Sequence, residues 1–211
     1  MRQTPRSSVR LMPRGLIAWL GAALHRRAVS GLECVAYDGF CLFVGSDNRA
    51  FVDAVTAALR LLQLVDARRY RRAQRHAPNL VRWPFQIGAG HYLGPGQAYY
   101  MESACETANP AAVAGSLVHE ATHGYLAARG FRYWKARRRH ERLCLTEQVR
   151  FLRRYLQWHP TCSEEEKRQA LNAIEQWAQR AFASRWWSTT QRLRRIHQAL
   201  YPGPGRGMLL P

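Results

Sequence analysis

The chain has 211 residues with a formal net charge of +18, and hydrophobic residues make up 47% of it. This length is enough for one hydrophobic core, and this composition excludes a largely disordered protein. The charge arises from 32 Lys and Arg against 14 Asp and Glu, so the surface should attract polyanions or anionic lipid non-specifically at low salt.

Residues 1–31 form a basic and apolar segment that precedes the main domain. Four arginines lie in residues 1–14, and ten apolar or small residues follow at 15–24. The pattern resembles a signal peptide, but His25-Arg26-Arg27 stands where a small-residue cleavage site belongs. Since ten residues cannot span a bilayer, we expect a short amphipathic or buried helix, with peripheral membrane contact as the alternative.

The five cysteines contain no C-x-x-C pair and have no regular spacing. This pattern predicts no disulfide framework, and a reducing cytoplasm is the default location. We expect no transmembrane segment.

The first part of the domain mixes strand and helix patterns. Alternating aromatic and β-branched residues over 32–44 predict a hairpin that turns at Asp38-Gly39. Helical spacing of apolar residues predicts a helix from about Ala50 to Asp66, with a basic extension over 68–76. Three short strand patterns separated by proline and glycine then predict a small sheet within Leu80 to Met101.

The second part of the chain is predicted to be helical. Asn109-Pro110 can cap a helix that is apolar on most of its surface and that ends at Gly130. Further helices are expected over 135–158, 163–183 and 185–200. We therefore predict an α+β fold, mainly helical, with a single domain at 32–201, a small sheet before the apolar helix, and a disordered tail at 202–211.

The apolar helix contains the motif His119-Glu120-Ala121-Thr122-His123. Residues four apart project from the same helix face, so both imidazoles can reach one ion. Glu120 points about a quarter-turn away, which suits a carboxylate that binds no metal but reaches a metal-bound water. The alternative is a buried histidine pair that bonds to backbone carbonyls or to a neighbouring acid.

A third metal ligand is expected on the helix that follows, because a catalytic zinc site normally has three protein ligands and an open position. Glu141 is our prediction, since the seventeen residues between His123 and Glu141 allow the first helix to end and the second to return. Glu147 is the reserve, and for both acids the alternative is an ion pair with nearby arginines. The candidates considered on this helix are His140, Glu141, Cys144 and Glu147, with Cys144 and Gln148 expected to line a pocket.

The motif followed by a glutamate on a later helix resembles the gluzincin branch of the zinc metallopeptidases. The likeness covers roughly Leu80 to Tyr155, and Leu117 to Phe151 is also similar to uncharacterised bacterial proteins grouped with the metallopeptidases. It implies a zincin-like fold and one zinc ion. It further implies His119, His123 and Glu141 as ligands and Glu120 as general base. Leu145 stands where an Asp would follow in the Glu-x-x-x-Asp pattern of that branch.

The expected activity is hydrolysis of a peptide or amide bond in a peptide or protein substrate. A metal-activated water would attack the carbonyl while Glu120 takes the proton. We expect the substrate to align along an edge strand before the motif helix, at Tyr99 and Tyr100. The transition-state donor is left open among Tyr100, Arg150, Tyr155 and His159.

The alternative function is a basic nucleic-acid-associated or assembly protein with a structural metal site. Basic residues cluster at 68–72, on both sides of Tyr70, and at 135–139, as on a phosphate-contacting surface. Neither cluster matches a named nucleic-acid-binding module, so a solvated basic surface is the favoured interpretation.

Overall fold

The structure, a computed structural model, describes residues 23, 26–27, 29–45, 48–83, 91–93, 97–131, 137–159, 161 and 163–183. Most of the N-terminal segment, the strand expected at 85–87, the helix expected at 185–200 and the tail at 202–211 lie outside these residues. Within the described part of the chain, no helix combines the length and the apolar character needed to cross a bilayer.

The predicted α+β class is confirmed, with a mixed sheet, a helical second half and a short 3-10 turn at Ser103–Glu106 that leads into the motif helix. In chain order the elements are β1 (Glu33–Tyr37), β2 (Phe40–Val44), α1 (Arg49–Val65), α2 (Ala67–His76), β3 (Asn79–Trp83), β4 (His91–Leu93), β5 (Ala98–Glu102), α3 (Pro110–Ala128), α4 (Arg137–Trp158) and α5 (Glu164–Ala183).

The strands form one sheet in the order β1-β2-β3-β5-β4. β1 and β2 make the predicted hairpin, and the positive φ angles of Asp38 (40°) and Gly39 (79°) fit a tight two-residue turn. β2, β3 and β5 are parallel neighbours, while β4 joins β5 antiparallel. The pairing of β2 with β3 unites the hairpin and the small sheet, which the sequence did not predict.

The two faces of the sheet have different partners. Because successive strand residues point to opposite faces, Leu42, Leu80 and Tyr99 belong to the main core beneath the helices. Their neighbours along the strands form a smaller cluster on the other face, together with Phe43 of β2 and two residues that precede β1. That smaller cluster consists of Val81, Ala98 and Tyr100, packed with Val29, Leu32 and Phe43.

Helix α3 lies at the centre of the fold, and every residue from Ala111 to Thr122 is buried. The predicted cap is confirmed, because the Asn109 side chain accepts a hydrogen bond from the Ala111 N–H at 2.8 Å. The predicted end is confirmed as well. Gly130 has a φ of 79°, and the N–H groups of Gly130 and Phe131 donate to the last helical carbonyls in a Schellman arrangement.

Helix α4 returns antiparallel to α3 and packs closely against it at Gly115. A Cβ atom on Gly115 would lie 3.3 Å from Cδ2 of Leu152 and 3.6 Å from Cγ of Gln148. Both of these side chains are fully buried. The missing side chain at Gly115 thus lets the two helices approach one turn before His119, and this approach sets where α4 meets the motif.

The structure joins Cys34 and Cys41 in a disulfide across the β1–β2 hairpin, with their Cα atoms 5.5 Å apart. The prediction of no disulfide framework did not foresee this bond, which is possible because the hairpin places the two residues on neighbouring strands. Cys105 and Cys144 are both buried. The cytoplasmic location stays a prediction, and disulfides are uncommon in that compartment.

We expect Gly115→Val to lower the free energy of unfolding by about 1–3 kcal/mol, because the new methyl groups would press on Leu152 in a close-packed core. Urea unfolding measures the change. Ala127→Val is the matched control at an exposed site of the same helix, where propensity alone should cost about 0.5 kcal/mol. Equal losses in the two variants would contradict the close contact at Gly115.

Candidate metal centre

The two motif histidines face each other on α3. Their Nε2 atoms are 3.1 Å apart, and the ring centroids are separated by 4.9 Å. The side chain of His119 is 1% exposed and that of His123 is 12% exposed, so His119 lies in the interior and His123 is closer to solvent. The i, i+4 spacing thus brings both imidazoles to one point, as the sequence predicted.

Helix α4 brings Glu141 to the same point. Its Oε2 atom lies 3.3 Å from Nε2 of His119 and 3.8 Å from Nε2 of His123. In a tetrahedral zinc site with Zn–N bonds of about 2.0–2.1 Å, neighbouring donor atoms are about 3.3 Å apart. The three observed separations are close to this value, so the three donors can share one ion without a large rearrangement.

Cys144, one of the four candidates that the sequence analysis named on this helix, is a further possible donor. Ligand atoms of His119, His123 and Cys144 all lie within 4.8 Å of one another, and this cluster could bind a metal ion. Cys144 follows Glu141 by three residues on α4, so both side chains lie on the helix face that meets α3. That spacing was the signal for a second donor on α4.

His140 supports the site from the side. Its ring packs against that of His123 with centroids 5.1 Å apart, and it also makes a hydrogen bond with the His123 backbone. Burial lowers the pKa of His140, although the charge of Glu141 and this hydrogen bond act in the opposite direction. The contact holds the His123 ring in place from the side of α4.

Glu147, the reserve ligand, is bound by arginines from two helices. Its Oε2 atom is 3.0 Å from guanidinium nitrogens of both Arg69 and Arg72, and its Oε1 atom is 2.7 Å from Nη1 of Arg150. Burial by itself would raise the pKa of Glu147. The bond from Arg150 and the charges of the other two arginines outweigh burial and hold the pKa below its ordinary value of 4.5. Glu147 therefore ties α2 to α4, as the ion-pair alternative for this acid supposed.

Glu120 is buried beside the histidine pair, with 2% of its surface exposed. Placing a carboxylate in the interior is costly unless it is hydrogen-bonded or faces positive charge. A cation held by the neighbouring His119 would supply such charge. The general-base role of Glu120 stays a prediction.

The strand that carries Tyr99 and Tyr100 is not the predicted edge strand. That prediction is wrong, because β5 pairs with β3 on one side and with β4 on the other. Tyr99 is buried, and its hydroxyl lies 2.8 Å from Oγ of Ser116. Tyr100 is buried on the opposite face of the sheet. The role of the two residues as substrate contacts stays a prediction.

Two candidates for a transition-state donor lie far from the histidine pair. Tyr155 and His159 are buried and contact each other edge to face, with centroids 5.3 Å apart. At 1.5 Å per residue, Tyr155 lies about 21 Å along the helix from Glu141. Arg150 pairs with Glu147, as described above. The identity of the donor therefore stays open.

No protein-family model, curated protein or solved structure matches this chain. The resemblance to gluzincins thus rests on the motif residues and on the glutamate of the following helix. What the structure adds is the convergence of donor atoms from α3 and α4.

We expect the wild-type protein to bind one equivalent of a transition-metal ion and His123→Ala to bind none tightly, because the variant loses one of the converging imidazoles. Equilibrium dialysis against Zn²⁺ or Co²⁺, read by elemental analysis, measures the stoichiometry. His76→Ala is the matched control, since His76 lies on α2 against Tyr125 and outside the cluster. Full binding by His123→Ala would contradict the assignment of this cluster.

We expect Glu147→Gln to lower the free energy of unfolding at pH 7 by about 2 kcal/mol, because it leaves partly buried arginines without their carboxylate. The depressed pKa means that this stabilisation is complete above the ordinary value of 4.5. It disappears as the pH falls through the lower pKa of the folded state. The difference between variant and wild type should therefore shrink on acidification.

Urea unfolding from pH 3 to pH 7 tests this expectation. Glu175→Gln is the control, because the Arg153–Glu175 pair is exposed and its loss should cost less than about 0.5 kcal/mol. A Glu147→Gln difference that stays constant across this pH range would show that the charge of Glu147 does not stabilise the fold.

Proposed function

We propose that this protein is a zinc-dependent hydrolase that cleaves a peptide or amide bond. The observation that carries the proposal is the convergence of His119, His123 and Glu141 on one point, next to the buried Glu120. If the two histidines were only buried polar side chains, each would need just one hydrogen-bond acceptor of its own. Here both Nε2 atoms are directed toward each other and toward one carboxylate oxygen.

The donor types favour zinc. Imidazole, carboxylate and thiol are all zinc ligands, whereas Mg²⁺ and Ca²⁺ prefer oxygen donors alone. A bound zinc ion would supply a water of lowered pKa and a Lewis acid for the carbonyl oxygen of the substrate.

The protein residues would hold the ion in place and transfer the proton. His119 and His123 are held in place by a capped, buried helix, and the ring of His140 further restrains His123. Glu120 is the group that would take a proton from the attacking water and later return it to the leaving amine. Its position on α3 directly after His119 supports this role, because it places the carboxylate next to the ion that the histidines would hold.

The substrate would bind along β4 instead of along β5. Among the described strands, β4 stands at one end of the sheet, pairs only with β5, and packs against α3. An extended peptide could add to this edge through backbone hydrogen bonds, which would lay it beside the motif helix. This edge supports an extended peptide as the substrate class.

The nucleic-acid alternative is less well supported. In the first basic cluster, Arg69 forms ion pairs with Asp66 and Glu147, and Arg72 forms one with Glu147. Both arginine side chains are mostly buried. Arg68 and Arg71 remain exposed on α2, as do the residues at 137–139 on α4. An exposed basic surface of this kind fits non-specific attraction better than a specific nucleic-acid site.

We expect zinc-loaded wild-type protein to cleave fluorescein-labelled casein or members of a mixed peptide library, and Glu120→Gln to be at least about a hundredfold slower, because it lacks the proton acceptor. Release of dye and mass spectrometry of the library measure cleavage. Metal content is measured on the same samples, because the Gln variant should still bind one ion.

Glu175→Gln serves as the control for an acid-to-amide change at an exposed site and should cleave at the wild-type rate. The hydrolase proposal fails if the metal-loaded Gln variant at position 120 retains wild-type cleavage. It also fails if metal-loaded wild type cleaves neither casein nor any library peptide.

A further inference from the structure

We infer that Cys144 is the fixed ligand from α4 and that Glu141 is an exchangeable one. The resting centre would then have four protein donors, and it would open on the side of Glu141. This inference rests on the metal centre of the proposed function. It assigns to two neighbouring side chains the tasks of retaining the ion and of making room for substrate.

The first support is the difference in burial between the two α4 residues. Cys144 is fully buried, like His119, whereas the side chain of Glu141 is 31% exposed. The four candidate donors thus have an inner pair, His119 and Cys144, and an outer pair, His123 and Glu141. A molecule that enters from solvent meets the carboxylate before it meets the thiol.

The second support is electrostatic. Both imidazoles are neutral when they bind a metal, so a divalent ion held by them and Glu141 alone would leave one net positive charge on the ion and its ligands, which Glu120 would offset only while it is unprotonated. Uncompensated charge in the interior is costly. A thiolate at Cys144 would bring the sum of charges to zero, and a nearby divalent ion favours the thiolate form.

The third support is the freedom of each side chain. Cys144 has one rotatable side-chain bond and close packing on every side, so its sulfur cannot move far from the histidines. Glu141 has a longer side chain at the rim and can turn toward solvent while its backbone stays in α4. The ordinary interpretation of a buried cysteine is a small apolar side chain, but the sulfur of Cys144 also lies within 4.8 Å of a ring nitrogen of each motif histidine.

The assignment also explains how one site can both retain its ion and act on a substrate. Four protein ligands are typical of structural zinc sites, and three with an open position are typical of catalytic ones. Withdrawal of Glu141 would convert the first arrangement into the second and leave His119, His123 and Cys144 in place. Glu120, on α3, would take no part in this change.

Co²⁺ titration of the full chain tests the inference, because a thiolate ligand produces a charge-transfer band in the near ultraviolet that nitrogen and oxygen donors do not. We expect wild type and Glu141→Gln to show the band and Cys144→Ala to lose it. Zn²⁺ affinity, measured by competition with a chelator, should fall at least about tenfold in Cys144→Ala. It should fall less in Glu141→Gln.

Cys105→Ala is the matched control, since Cys105 is a free, buried cysteine in the core and should not contribute to the band. A second control keeps the test valid if Cys144→Ala does not fold. The double variant Cys105→Ala and Cys162→Ala leaves Cys144 as the one cysteine outside the hairpin disulfide, and its band should equal that of wild type.

Co²⁺ binding without a band in wild type would overturn the inference and leave the proposed hydrolase intact. A band that persists in Cys144→Ala, or that disappears in Glu141→Gln, would overturn it as well. Failure of the proposed function has a different signature, which is a wild-type band together with no cleavage of casein or library peptides.

Discussion

The burial of α3 is the constraint on which the rest of this structure depends. A helix enclosed on all sides must satisfy each of its polar groups from within the protein. The Asn109 side chain caps its first turn, and Tyr99 meets Ser116 in its middle. From the middle of the helix onward the histidine pair makes the same demand, and Glu141 of α4 lies close to both imidazoles. A site of converging ligands is therefore a consequence of where this helix lies.

Small residues on α3 decide how closely its neighbours approach. Gly115 lets Leu152 and Gln148 of α4 pack directly against the helix backbone. His119 and His123 stand one and two turns beyond Gly115 on α3. The antiparallel return of α4 brings Glu141 and Cys144 close to them. Core packing and ligand geometry are thus one property of the α3–α4 interface, since protein interiors transmit small shifts in packing.

The unequal use of acids fits the strongly basic composition. With fewer than half as many acids as bases, most acids near the core can find an arginine. Glu147 and Asp66 do so and join α2 to α4 through Arg69, Arg72 and neighbouring arginines. Glu141, on the same helix as Glu147, lies 3.3 and 3.8 Å from histidine nitrogens of α3. This contact with two imidazoles is the reason that Glu141 is a candidate metal ligand.

The sequence by itself determined what depends on neighbours along the chain. The cap at Asn109, the end at Gly130, the Asp38-Gly39 turn and the shared face of the two histidines all follow from local geometry, whereas Glu141 as the third ligand stays a prediction. Only the tertiary structure decided the parallel pairing of β2 with β3, the interior position of β5, the Cys34–Cys41 disulfide and the approach of Cys144. These features join segments that are distant in the chain or depend on how strands and helices align. Local sequence patterns are compatible with several such alignments, and side-chain packing determines which one forms.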